Sequence, residues 1–185
     1  AKKIYEYYVQ LPYFQKNPKQ LYLLKTVDDA VERHSTVAYV KGTKGTSRKT
    51  VILMGHIDTV GVDDYKPDPS IAFDPDRIPE YLLNMEGLDP QVKKDIESGE
   101  FMFGRGSLDM KSGVACQMYV VKYFSEHTDE LDGNLLAIAH CDEEDMSHGI
   151  LTGLLDLKRL KEEEGFEYIA SINSDYCTPY YEGDE

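Results

Sequence analysis

Thr50-Val-Ile-Leu-Met54-Gly-His-Ile-Asp58 joins a threonine and four consecutive apolar residues to a glycine, a histidine and an aspartate. A strand buried on both faces reads as such an unbroken run, whereas a half-exposed strand alternates. Thr50 to Met54 is therefore predicted to be a central strand. In open α/β sheets, ligands bind beyond the carboxyl ends of the strands. His56 and Asp58 stand at that end.

Working outward, apolar runs at Leu21 to Leu24 and Thr36 to Val40 read as earlier strands. The polar, glycine-bearing stretch from Gly42 to Arg48 suggests that Thr36–Val40 and Thr50–Met54 form a hairpin. Ala1 to Leu11 carries Ile4, Tyr7, Tyr8 and Leu11 at helical spacing, and Pro12 is expected to end it. From Ile57 to Gly99 the chain is rich in Pro and Asp, and so long a connection is often functional. Within it, Asp89 and Pro90 suit the cap and first turn of a helix running to Ser98.

Farther on, Phe101 to Phe103 reads as a short strand followed by the glycine turn Gly104-Arg-Gly106. A helix from about Met110 to His127 turns Val114, Met118, Val121 and Phe124 inward. Asn134 to Ala139 reads as a buried strand. His148 to Glu164 has amphipathic spacing, with Ile150, Leu151, Leu154, Leu157 and Leu160 as its apolar side and Gly165 as its stop. Tyr168 to Ile172 is the last strand. Helices alternating with strands predict a three-layer α/β/α sandwich around a mixed, mostly parallel sheet.

The chain has 185 residues, enough for one domain with a real core, and a net charge of −14. Such an acidic surface repels phosphate backbones and argues against nucleic acid as a partner. No apolar run approaches the ~20 residues that span a bilayer, so no membrane association is expected. Cys116, Cys141 and Cys177 form neither a metal motif nor a disulfide framework, and the start does not resemble a signal peptide. A reducing compartment, the cytoplasm, is the expectation.

The residues just past each strand carry the chemistry. His56 and Asp58 come after the first, Asp109 after Gly104-Arg-Gly-Ser-Leu108, Asp142-Glu143-Glu144-Asp145 after Asn134–Ala139, and Asp175 after Tyr168–Ile172. Carboxylates brought together repel unless a cation sits among them. One imidazole among oxygen donors suits zinc, and also manganese or cobalt. Each residue has an ordinary reading too: a structural histidine, an N-cap at Asp109, a solvated loop at Glu143 and Glu144, an Asx turn at Asp175. The coincidence of all four at one sheet edge favours a metal. Arg105 to Ser112 ends in Lys-Ser like a phosphate-binding loop, but Arg105 and Met110 stand where that loop needs glycine.

Met54-Gly-His-Ile-Asp-Thr-Val60, Gly104-Arg-Gly-Ser-Leu-Asp-Met-Lys-Ser-Gly113 and Asp142-Glu-Glu144 resemble, in motif and in order, a zinc exopeptidase and deacylase family. It includes aminoacylase, acetylornithine deacetylase, succinyl-diaminopimelate desuccinylase, peptidase T and the glutamate carboxypeptidases. Asn173-Ser-Asp-Tyr-Cys-Thr-Pro179 and Tyr181-Glu-Gly-Asp184 resemble its arginine-utilization branch. The resemblance implies two zinc ions, with His56 and Asp175 on the first, Glu144 on the second and Asp109 bridging across a cis bond to Met110. It implies Glu143 as general base and Asp58 as the residue orienting His56. The implied activity is hydrolysis of an amide or peptide bond in a small peptide or N-acyl amino acid.

Two features of that family have no counterpart here: a downstream histidine ligand and an inserted lid domain that makes dimer contacts. His140 and His148 are better read as strand and helix-start residues than as that ligand. The expectation is that residues 1–185 are the N-terminal part of a catalytic domain and hydrolyse little alone. The full-length protein would be a homodimer through the lid. A non-catalytic metal-binding domain of the same fold is the alternative, and a free base at Glu143 argues against it.

Overall fold

The structure, a computed structural model, describes residues 1–176. Cys177 and the motif residues beyond it lie outside the described residues. A five-stranded sheet is built from β1 (Leu21–Lys25), β2 (His34–Lys41), β3 (Lys49–His56), β4 (Asn134–His140) and β5 (Glu167–Asn173), in the order β1-β2-β4-β3-β5. β3 runs parallel to both β4 and β5, while β2 runs antiparallel to β1 and to β4. The predicted mixed sheet is present, with its parallel part confined to the three strands that carry the site.

β2 and β3 do not form the expected hairpin. β4 lies between them, with Ala38 facing Ala137 on one side and Leu53 facing Ala137 on the other. The turn-rich stretch from Gly42 to Arg48 is a connection over that strand. Backbone bonds from Gly42 to Gly133 and from Thr43 to Thr128 tie it to the approach to β4. Among the described strands, the pair that is both consecutive in sequence and antiparallel is β1 with β2, one element earlier.

Helices cover both faces, as predicted. On one, α1 (Lys2–Tyr8), α2 (Pro12–Lys16) and α5 (Ser112–Glu126) enclose Tyr8, Phe14, Val40, Leu53 and Val121. On the other, α6 (His148–Glu164) covers Val37, Ile52, Leu136 and Ile138, with Leu160 and Phe166. Alternate residues of β3 thus serve opposite layers, which is why Val51 to Met54 are apolar without alternation. Pro12 does not merely stop a helix; it opens α2 as the first helical residue, a position where its missing N–H is harmless.

Between β3 and α5 lie α3 (Ile78–Leu83) and α4 (Pro90–Ser98). Asp89 caps α4 as expected, its side chain accepting from the Gln91 N–H. Residues Phe101–Phe103 form no strand; Phe101 and Met102 are exposed, and nothing pairs their backbone into the sheet. α6 has the predicted bounds and buries part of its predicted side, Leu157 and Leu160 packing on the sheet, but not Leu151 or Leu154. Thr152, Gly153, Asp156 and Leu160 face the sheet, while Leu151, Leu154 and Leu155 are exposed. The dock is made by polar fits: Thr152 accepts from the Val27 N–H, Asp156 accepts from Tyr22, and Gly153 lies against the His140 ring.

Candidate metal centre

Register brings the site together. His56 at the end of β3 faces His140 at the end of β4, and the Ile57 N–H donates to the His140 carbonyl at 2.8 Å. Both chains then leave the sheet at one edge. Met54 faces Asn173 of β5, so Asp175 emerges two residues later at the same edge. Gln117 of α5, buried, ties two of these strand ends: its Nε2 donates to the Met54 carbonyl at 2.8 Å and to Ser174 Oγ at 3.1 Å. Gly113 allows α5 this close, since a Cβ there would lie 2.1 Å from the Ser174 carbonyl oxygen.

Asp109 arrives differently. It follows the glycine turn, in a distorted helical turn over Ser107–Lys111 where Asp109 and Met110 have non-helical backbone angles. Its bond to Met110 is cis. The N-cap position of α5 is Lys111, so Asp109 does not cap that helix. Met110 is fully buried and its Sδ accepts the His56 N–H at 3.1 Å. Gly55 leaves room for this, because a Cβ there would fall 2.5 Å from Met110 Cε. Met110 thereby anchors the Asp109 turn beneath His56.

Three carboxylates gather at one imidazole nitrogen. His56 is 3% exposed, and its Nε2 lies 3.0 Å from Asp109 Oδ1, 3.8 Å from Asp175 Oδ2 and 3.9 Å from Glu143 Oε2. His56, Asp109 and Glu144 each offer a ligand atom, all within 4.8 Å of one another. Beyond its hydrogen bond to Tyr176 N–H, Asp175 is thus part of this group. His140 is a buried strand residue and His148 lies against Asp142, away from the His56 group.

Asp58 stands behind the imidazole. Its Oδ1 is 3.3 Å from His56 Nδ1, close enough for charge attraction although the two are not aligned as a hydrogen bond. The same carboxylate accepts the N–H of Glu143 at 3.0 Å and of Glu144 at 2.9 Å. One side chain therefore holds the Glu143–Glu144 pair through its amides and lies beside the imidazole.

The electrostatics point to a cation. The Glu144 carboxyl is pushed up by desolvation and then by the Asp109, Glu143 and Asp58 carboxylates around it. Lys111 is the nearby ammonium; desolvation holds it below the usual lysine range although Asp58 and Asp109 attract it. An imidazole nitrogen with several carboxylate oxygens is a donor set for a divalent metal. The residues present fit such an ion. A cleft of about 190 Å³, lined by Thr59, Tyr65, Arg105, Asp109 and Glu144, opens onto them.

Sequence reading misses Gln117, Gly113 and the amide-binding half of Asp58. Gln117 stands in no motif, and Gly113 and Asp58, though inside motifs, play these parts through backbone atoms that only the register brings near.

The family model described as peptidase family M20/M25/M40 matches residues 52–178, a span that contains all six of these site residues. The chain belongs to this family. It is 43% identical over 182 residues to Protein RocB of Bacillus subtilis (strain 168), covering 98% of this chain and 32% of that protein. It is 33% identical over 175 residues to the uncharacterized protein YqjN of the same organism, covering 94% of this chain and 31% of the relative. The chain thus spans about a third of the length of these curated relatives. Human carnosine dipeptidase 1 aligns with a TM-score of 0.49 at 19% identity, over 95% of this chain and 33% of that one.

Proposed function

We propose that this chain supplies the metal-binding part of a hydrolase that cleaves the amide or peptide bond of a small peptide or N-acyl amino acid. The observation that carries the reading is the convergence of Asp109, Glu143 and Asp175 on His56 Nε2. Under it, His56, Asp109, Glu144 and Asp175 would hold the zinc, with His56 and Asp175 toward a first ion, Glu144 toward a second and Asp109 toward both. Bound zinc supplies charge that polarises an amide carbonyl and makes a water more acidic near neutral pH.

Glu143 is the general base. It is adjacent to Glu144, exposed, and 3.9 Å from His56 Nε2, so it can accept a proton from water and return it to the leaving amine. Asp58 orients His56 through Nδ1 and fixes the direction of both glutamates through their amides. Burial of His56 keeps the imidazole from turning away.

Metal content of the purified chain, read by atomic emission, tests the ligand set. Zinc should co-purify or be taken up on dialysis, and Asp109→Ala should lose most of it. Zinc uptake unaffected by Asp109→Ala would remove the shared-ligand assignment. In the full-length protein, Glu143→Gln should retain zinc and lose amide hydrolysis by ~10²–10⁴-fold, the usual scale of a lost acid–base group.

A further inference from the structure

We propose that Arg33 is a positioning residue for Glu143 and Glu144, a role that rests on the metal-hydrolase reading above. Arg33 ends the loop between β1 and β2 and lies far from the glutamates in sequence. Its guanidinium donates from Nη1 to Asp142 Oδ2 at 3.1 Å and from Nη2 to Asp145 Oδ2 at 2.7 Å. Asp142 and Asp145 are the residues on either side of the Glu143–Glu144 pair. One planar fork therefore grips both ends of the dipeptide that carries the base and a ligand.

The inner side of that dipeptide is held by Asp58 through its two amides. Arg33 supplies the opposite hold. Asp142 is 1% exposed, and its carboxylate also takes the Gly149 N–H. Its carbonyl accepts from the Ser147 N–H at 2.9 Å, closing the turn. Met146 and Ser147 have φ of 69° and 57°, left-handed values that side-chain-bearing residues adopt at a cost. Such a turn persists only where its surroundings determine it. Arg33, from the loop before β2, and Asp58, from the end of β3, both reach it from distant parts of the chain.

Asp29, Asp142 and His148 could be taken for a second metal site. The guanidinium stands among them, 3.7 Å from Asp29 by Nε, and already supplies the positive charge. The group is an ion-pair network built around Arg33. Lysine has one point charge and no fork, so it cannot hold Asp142 and Asp145 at once.

The test uses Arg33→Lys and the double variant Arg33→Met/Asp142→Asn, which removes the guanidinium and the buried Asp142 charge together, while Asp29 keeps its bonds from Thr26 and Val31. Lys25→Met, which breaks the exposed Lys25–Glu32 pair across the same β1–β2 loop, is the control. Amide hydrogen exchange and cobalt(II) titration are read on the 185-residue chain. Glu143 and Glu144 amides should exchange at least ~10-fold faster in both Arg33 variants, with Leu136 to Ile138 unchanged. Cobalt affinity should fall ~10–100-fold, the range for lost outer-sphere support. Wild-type exchange at the two glutamates, or equal acceleration in β4, would overturn the proposal. So would faster exchange with cobalt affinity intact. If the unaltered chain takes up no cobalt, the metal reading fails, and the exchange rates alone decide the role of Arg33.

Discussion

Asp58 touches three groups of the candidate site with its two oxygens, the two glutamate amides and the His56 ring. Removing the carboxylate frees the imidazole and both glutamate amides together. Asp58→Ala in the full-length protein should lower amide hydrolysis and zinc affinity by ~10–100-fold each. Steady-state rates and a competition titration with a chelator would measure this. An effect on turnover with no effect on zinc would show that the hold on His56 is unimportant. His56, Asp109, Glu143, Glu144 and Asp175 can all be found from sequence, since each is a donor type standing just past a strand or glycine turn. Arg33 and Gln117 cannot. Their partners are a surface turn and two strand ends whose proximity depends on strand order.

At the scale of elements, the strands and helices follow local pattern, while their neighbours do not. α6 matches its predicted bounds because the helical spacing and Gly165 are local signals; that glycine has φ of 70°, as a left-handed stop requires. Its buried side differs in part from the predicted one because leucines outnumber the polar residues that dock it. Leu160→Ala should therefore destabilise by about 2–5 kcal/mol, whereas Leu154→Ser should change stability by about 0.5 kcal/mol or less. Urea unfolding of the two variants would separate the inward from the outward leucine. The absent hairpin has a similar cause: Gly42 to Arg48 is turn-like in composition, but composition does not say whether a turn closes on its neighbour or crosses a strand. Gly113 makes a sharper test of how elements meet. Gly113→Ala sets a methyl against the backbone of Ser174, which cannot swing aside as a side chain would. It should loosen the Asp175 end of β5 and reduce zinc uptake more than Gly55→Ala, which meets the flexible tip of Met110.

For the whole molecule, α6 is fastened at its far end to β2. Glu164 accepts from Lys41 and from the Tyr39 hydroxyl. The Lys41 hydrogen bond holds the Glu164 carboxyl below its ordinary range. A carboxyl depressed in the folded state contributes stability above its unfolded value, and that contribution disappears as pH falls through the folded value. Glu164→Gln should therefore lower the urea midpoint at neutral pH, with the gap to the parent protein closing as the pH is taken down to about 3. A gap that stays constant with pH would mean that the Glu164 charge contributes nothing. The position of β4 between β2 and β3 has a consequence for synthesis. Translated from the amino terminus, β2 and β3 emerge long before the strand that joins them. At roughly 5–20 residues per second, the ribosome delivers β4 on the order of ten seconds after β3. Throughout that interval the nascent chain presents two apolar ribbons with an open slot between them, and a holdase that masks such ribbons would raise the yield of correctly assembled protein.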